Sequence, residues 1–103
     1  MRLPFAAALV LVSFAGAAIA DEAEDIAKGK ELAQRWCSDS HVIGPETTGG
    51  DAGPTFESVA RRPGTTEDGV LRWLAEPHLP MPDLHLTAAD AEVLSAYIFS
   101  LSK

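Results

Sequence analysis

Apolar positions follow two different rhythms along this chain of 103 residues. From Leu3 to Ile19 they run almost unbroken, interrupted only by Pro4, Ser13 and Gly16. Beyond Asp21 they recur at helical spacing. Ile26, Gly29, Ala33 and Trp36 mark one face of a first helix predicted over Asp21–Trp36. Near the end, Val93, Leu94, Tyr97, Ile98 and Leu101 repeat as i, i+1, i+4, i+5, i+8, which predicts a final helix with one apolar face. Between them, Val70, Leu71, Trp73 and Leu74 form a shorter amphipathic pattern that stops before Pro77. Phe56 to Arg62 makes a further short helix, closed by Pro63-Gly64. No hairpin pattern, internal repeat or low-complexity segment interrupts this order. The pattern predicts an all-α domain of three to four short helices joined by Gly/Pro loops.

Polar residues sharpen the helix starts. Asp21 with Glu24, Thr65 with Asp68, and Thr87 with Asp90 each have the spacing of a capping box. Glu22, Glu24 and Asp25 crowd the positive end of the first helix dipole, and Lys28, Lys30 and Arg35 follow later. Gly29 lies mid-helix, where glycine costs about 1 kcal/mol relative to alanine, so it is expected where another helix crosses close by. Gly44 to Pro54 reads as loop from its pairs Gly44-Pro45, Gly49-Gly50 and Gly53-Pro54. Pro77-His78-Leu79-Pro80-Met81-Pro82 forbids a regular helix or central strand and holds Met81 out on a stiff loop.

The opening run changes the picture of where the domain begins. Arg2, the apolar stretch and Ala18-Ile19-Ala20 have the order of a secretory signal peptide with a small-x-small cleavage site. Residues 1–20 are therefore expected to be removed on export, leaving residues 21–103 as one domain in the periplasm with no membrane anchor. Domains of that size have thin cores and often lean on a disulfide, metal or cofactor. A single cysteine excludes an internal disulfide. The formal net charge is −7, and loss of Arg2 makes it one unit more negative. That excludes an electrostatic footprint for nucleic acid or anionic lipid and favours basic partner surfaces.

The lone cysteine carries the candidate chemistry. In Trp36-Cys37-Ser38-Asp39-Ser40-His41, Cys37 and His41 stand four apart, so on a helix they share a face. The motif that attaches a c-type haem is Cys-x-x-Cys-His. Here Ser40 stands where its second cysteine would be.

The ordered set of motifs resembles the small class I bacterial cytochromes c over essentially the whole of residues 21–103. The matching pieces are Gly29, Cys37-Ser38-Asp39-Ser40-His41, Gly53-Pro54, Leu74-Ala75-Glu76-Pro77, Pro80-Met81-Pro82 and Tyr97. The resemblance implies a small cytochrome c-like fold around a haem, with His41 as proximal iron ligand through Nε2. It implies that the Pro54 carbonyl holds His41 Nδ1–H, that Met81 is the distal ligand, and that Trp73 lines the haem. Trp73 reads equally well as core. Gly29 and Tyr97 match a close crossing of the first and last helices. His78 and His85 flank Met81 and read as solvated surface histidines; ligation by either would make a bis-histidine site of lower potential.

Ser40 limits covalent attachment. A thioether needs a thiol, and a serine hydroxyl without an activating base is a poor nucleophile. One thioether, from Cys37, is expected. The reading that follows is a one-electron carrier and not an enzyme, using haem c with both axial sites filled. Its partners would be dehydrogenases, reductases or oxidases offering a basic patch. Two alternatives stand beside it. One is a five-coordinate haem protein that senses gases or reacts with peroxide. The other is an interaction module with loosely held haem or none.

Overall fold

The computed structural model describes residues 13–45, 48–76 and 81–103, with side chains from Asp21 onward. The start of the expected signal peptide, residues 46–47 and the stretch Pro77–Pro80 with His78 lie outside them. Four helices follow in order: α1 (Ser13–Trp36), α2 (Phe56–Ala60), α3 (Glu67–Ala75) and α4 (Ala88–Ser100). No strand occurs among the described residues.

The helix ends show which local signals were used. At α4 the predicted capping box forms: Thr87 Oγ1 accepts the Asp90 N–H at 3.0 Å, and Asp90 Oδ2 accepts the Thr87 N–H at 3.2 Å. At α3 the cap moves by one residue. Thr66 Oγ1 accepts the Gly69 N–H at 3.0 Å, while Thr65 Oγ1 donates to the Val59 carbonyl at 3.1 Å and so ties α2 to α3. At α1 the expected Asp21 cap is absent, because the helix starts at Ser13 and runs through Asp21. The alanine-rich residues before Asp21 are strong helix formers, so in the full-length chain the helix extends over them. α2 stops at Ala60, with Arg61 as its C-cap, two residues short of the predicted end.

α4 organises the rest. It lies against α1, α2 and α3, whereas no Cα atoms of those three helices come within 8 Å of one another. The core gathers around α4: Leu94, Tyr97 and Ile98 meet Ala33 and Cys37 of the α1 end, Phe56 and Ala60 of α2, and Val70 of α3. Among the described residues, the largest side chains that are almost completely buried are Ile43, Leu94 and Ser95. That is a thin core.

The α1–α4 crossing is close because of Gly29. A Cβ there would fall on the Val93 carbonyl oxygen and lie 2.7 Å from Tyr97 Cβ. The buried face of α1 is one position off the expected one at its end. Cys37 enters the core at 7% exposure, and Trp36 stands 40% exposed. Three exposed pairs, Glu31–Arg35, Glu57–Arg61 and Asp68–Arg72, brace helix surfaces at i, i+4 and add little each. Among the described residues no helix is long and apolar enough to cross a membrane.

Candidate functional site

The segment after α1 makes one further helical turn. The Cys37 N–H donates to the Ala33 carbonyl at 2.9 Å, and the Cys37 carbonyl accepts from the N–H groups of Ser40 and His41 at 3.1 and 3.0 Å. Cys37 and His41 are therefore one turn apart, as their spacing predicts. The Gly-rich loop then folds back along this turn. The Gly50 N–H donates to the Ser38 carbonyl at 2.9 Å, the Gly53 N–H to the Ser40 carbonyl at 2.8 Å, and the Phe56 N–H to the Val42 carbonyl at 3.0 Å.

This loop builds a cradle for the His41 ring. Nδ1 lies 2.7 Å from the Pro54 carbonyl oxygen. A carbonyl only accepts, so Nδ1 carries a proton, and in the neutral imidazole Nε2 is the nitrogen with the lone pair. The Phe56 ring sits against the imidazole, with centroids 5.1 Å apart and planes tilted by 45°. Gly53 also lies close against the ring. A Cβ there would come within 2.8 Å of Nδ1 and 2.9 Å of Nε2. The sequence marks Gly53 as a turn residue and as part of the Gly53-Pro54 motif, not as a contact of the ring. Its role against the ring, and that of Phe56, belongs to the folded loop.

Cys37 is buried among apolar side chains, and burial pushes its thiol up to about 11. Ser40 is half-buried, and its backbone N–H and carbonyl both serve the turn. Behind the loop, the Tyr97 hydroxyl of α4 donates to the Ile43 carbonyl at 2.7 Å. Burial raises the Tyr97 phenol above its ordinary 10.0. The unfolded chain therefore loses this proton first. The stabilisation from the buried phenol is complete below pH 10 and fades as pH rises through the folded value. Urea unfolding midpoints are expected to fall above pH 10, and Tyr97→Phe to flatten that fall. A Tyr97→Phe chain with an unchanged alkaline slope would contradict this.

The other predicted residues lie on a second surface. Met81 is half-buried and shares a cleft with Trp73, Leu74 and Leu86. Neither His41 nor Pro54 lines that cleft. Trp73 is 55% exposed, which overturns the reading of it as a core residue. α3 turns Val70, not Trp73, toward α4. His85 is solvated as expected, with its side chain 87% exposed. It adopts a left-handed backbone (φ 55°), and its N–H donates to Asp83 Oδ1 at 2.8 Å. The structure thus joins Cys37, His41 and Pro54 in one unit and Trp73 with Met81 in another.

Compared with known proteins, the chain is 34% identical over 103 residues to cytochrome c-552 of Bradyrhizobium diazoefficiens, a match covering 98% of each chain. No protein-family model matches it. No solved structure matches it either.

Proposed function

The chain belongs to the cytochrome c family, and from that premise we propose that it is a periplasmic one-electron carrier whose c-type haem is attached by Cys37 alone and ligated by His41 and Met81. It is an electron carrier rather than an enzyme. When bound, the haem supplies a reversible one-electron change at its iron.

The residues fit such a group. An imidazole whose Nδ1 proton is held, so that its neutral form donates through Nε2, a thioether sulfur and a thiol are the donor set that a singly attached, His/Met-ligated haem needs. The thin core, with the backbones of α1, α2 and α3 close only to that of α4, is that of a small domain needing a staple beyond its own side chains. The observation that carries the reading is the His41 cradle. Its 2.7 Å contact to the Pro54 carbonyl fixes the tautomer and makes Nε2 the more basic donor. Gly53 and Phe56 fix the ring's tilt. Met81 on its proline-flanked loop would favour the ferrous state and raise the potential. The net charge of −7 supports docking to a basic patch on a dehydrogenase, reductase or oxidase. Residues 1–20 would act as the export signal.

The test is a pyridine haemochrome spectrum on protein expressed with its first 20 residues, repeated after acid–acetone extraction. Colour that stays with the protein, with a reduced band between those of two-thioether haem and free haem b, is expected. Complete extraction would remove the covalent bond from the reading, and no band at all would sink the carrier. Binding of carbon monoxide by the reduced protein would displace Met81 from its assigned role.

Gly53→Ala is expected to push the imidazole off the Pro54 carbonyl. Disturbing a ligand's outer partner typically costs about 10–100-fold in metal affinity. In the Cys37→Ser background, where the haem has no covalent bond, haem retained against apomyoglobin equally well with and without Gly53→Ala would show that the cradle does not hold the ligand.

A further inference from the structure

The Tyr97 ring and the Tyr97 hydroxyl serve different ends. The ring packs at the α1–α4 crossing, where its Cβ meets Gly29, and a phenylalanine would fill that place equally well. The hydroxyl reaches across to the chain segment that follows His41, 54 residues earlier in sequence. A hydroxyl is costly to bury unless it is hydrogen-bonded. Ile43 is 1% exposed and Tyr97 4% exposed, so the bond between them is shielded from water.

Two further restraints on this segment come from nearby sequence. The Pro54 carbonyl holds the ring, and the Phe56 N–H holds the Val42 carbonyl at 3.0 Å. Both lie on the loop that folds back over His41 and set the ring's pose within that loop. The Tyr97 hydroxyl bonds the segment's backbone to α4, the helix every other helix lies against. We propose that Tyr97 is a positioning residue for His41: its hydroxyl, by holding the Ile43 carbonyl, sets the depth of the His41 segment against α4 and so the strength of the Nδ1–H bond to Pro54. This rests on the reading of His41 as the iron ligand.

The test compares Tyr97→Phe with Leu94→Ala in the full-length protein as expressed. Leu94 is buried on the same helix, and its truncation weakens the fold without removing either partner of the tether. Two readouts are taken: the solvent exchange rate of the His41 Nδ1 proton by NMR, and the reduction potential. Tyr97→Phe is expected to speed exchange about tenfold, on the scale of one lost buried hydrogen bond. It is also expected to raise the potential, because an imidazole with a weaker Nδ1–H bond donates less to ferric iron. Leu94→Ala is expected to leave both near the parent values despite its lower stability. Exchange and potential unchanged in Tyr97→Phe, or moved as far by Leu94→Ala, would overturn the positioning role. Protein that carries no haem would sink the carrier reading, and the proton exchange rate would then decide the tether alone.

Discussion

Gly29→Ala is expected to destabilise the chain, although alanine is the better helix former. At an open helix position the exchange would stabilise by about 1 kcal/mol. At the α1–α4 crossing the added Cβ falls on the Val93 carbonyl oxygen and lies 2.7 Å from Tyr97 Cβ. Two of these neighbours are hard to move. One is a backbone carbonyl inside α4, and the other is the first carbon of a buried tyrosine. The helices must separate instead. Overpacking of this kind typically costs about 1–3 kcal/mol and occasionally more. Separation also pulls the Tyr97 hydroxyl from the Ile43 carbonyl, which lie 2.7 Å apart. A buried acceptor left unpaired adds about 1–3 kcal/mol. The penalty exceeds the propensity gain, for a net loss of about 1–5 kcal/mol. For a domain this small that is a large share of its stability. Urea unfolding followed by circular dichroism measures it. A Gly29→Ala chain as stable as its parent would mean that the two helices do not cross in contact at this point.

The second large effect concerns Cys37 and Ser40. The sequence holds one cysteine. With Cys37→Ser no thiol remains, and all the pigment is expected to pass into acidified acetone. With Ser40→Cys the Cys-x-x-Cys-His motif is complete, and the reduced haemochrome band is expected to move to the two-thioether position. The backbone of Ser40 is already fixed, its N–H to the Cys37 carbonyl at 3.1 Å and its carbonyl to the Gly53 N–H at 2.8 Å. Sulfur therefore replaces oxygen on an unchanged turn. Covalent pigment in Cys37→Ser would transfer the attachment to another residue and remove Cys37 from the site. A single-thioether band persisting in Ser40→Cys would mean that position 40 does not face the haem vinyl.

How much of this was legible in the sequence depends on how local each feature is. Three Asp/Thr starts had capping-box spacing, and only Thr87 with Asp90 formed one. The spacing is necessary, but a cap also requires the helix to begin there. α3 begins one residue late, and α1 begins upstream of Asp21. The helix faces behaved similarly. The α4 stripe of Leu94, Tyr97 and Ile98 entered the core as read, while at the end of α1 Cys37 took the buried position expected for Trp36. Apolar character does not by itself say which large side chain turns inward. Trp73 at 55% exposure makes the same point.

The sequence by itself determined the all-α class, the order of the helices, the close approach at Gly29 and the shared face of Cys37 and His41. These depend on spacings of three and four residues and on where glycine and proline interrupt them, and such spacings act within a single turn of chain. Tertiary structure decided the press of Gly53 on the imidazole, the pairing of Trp73 with Met81 in their own cleft, and the reach of Tyr97 across 54 residues to Ile43. Those contacts join segments whose approach is set by how α4 packs against the other helices, and no local periodicity encodes that distance.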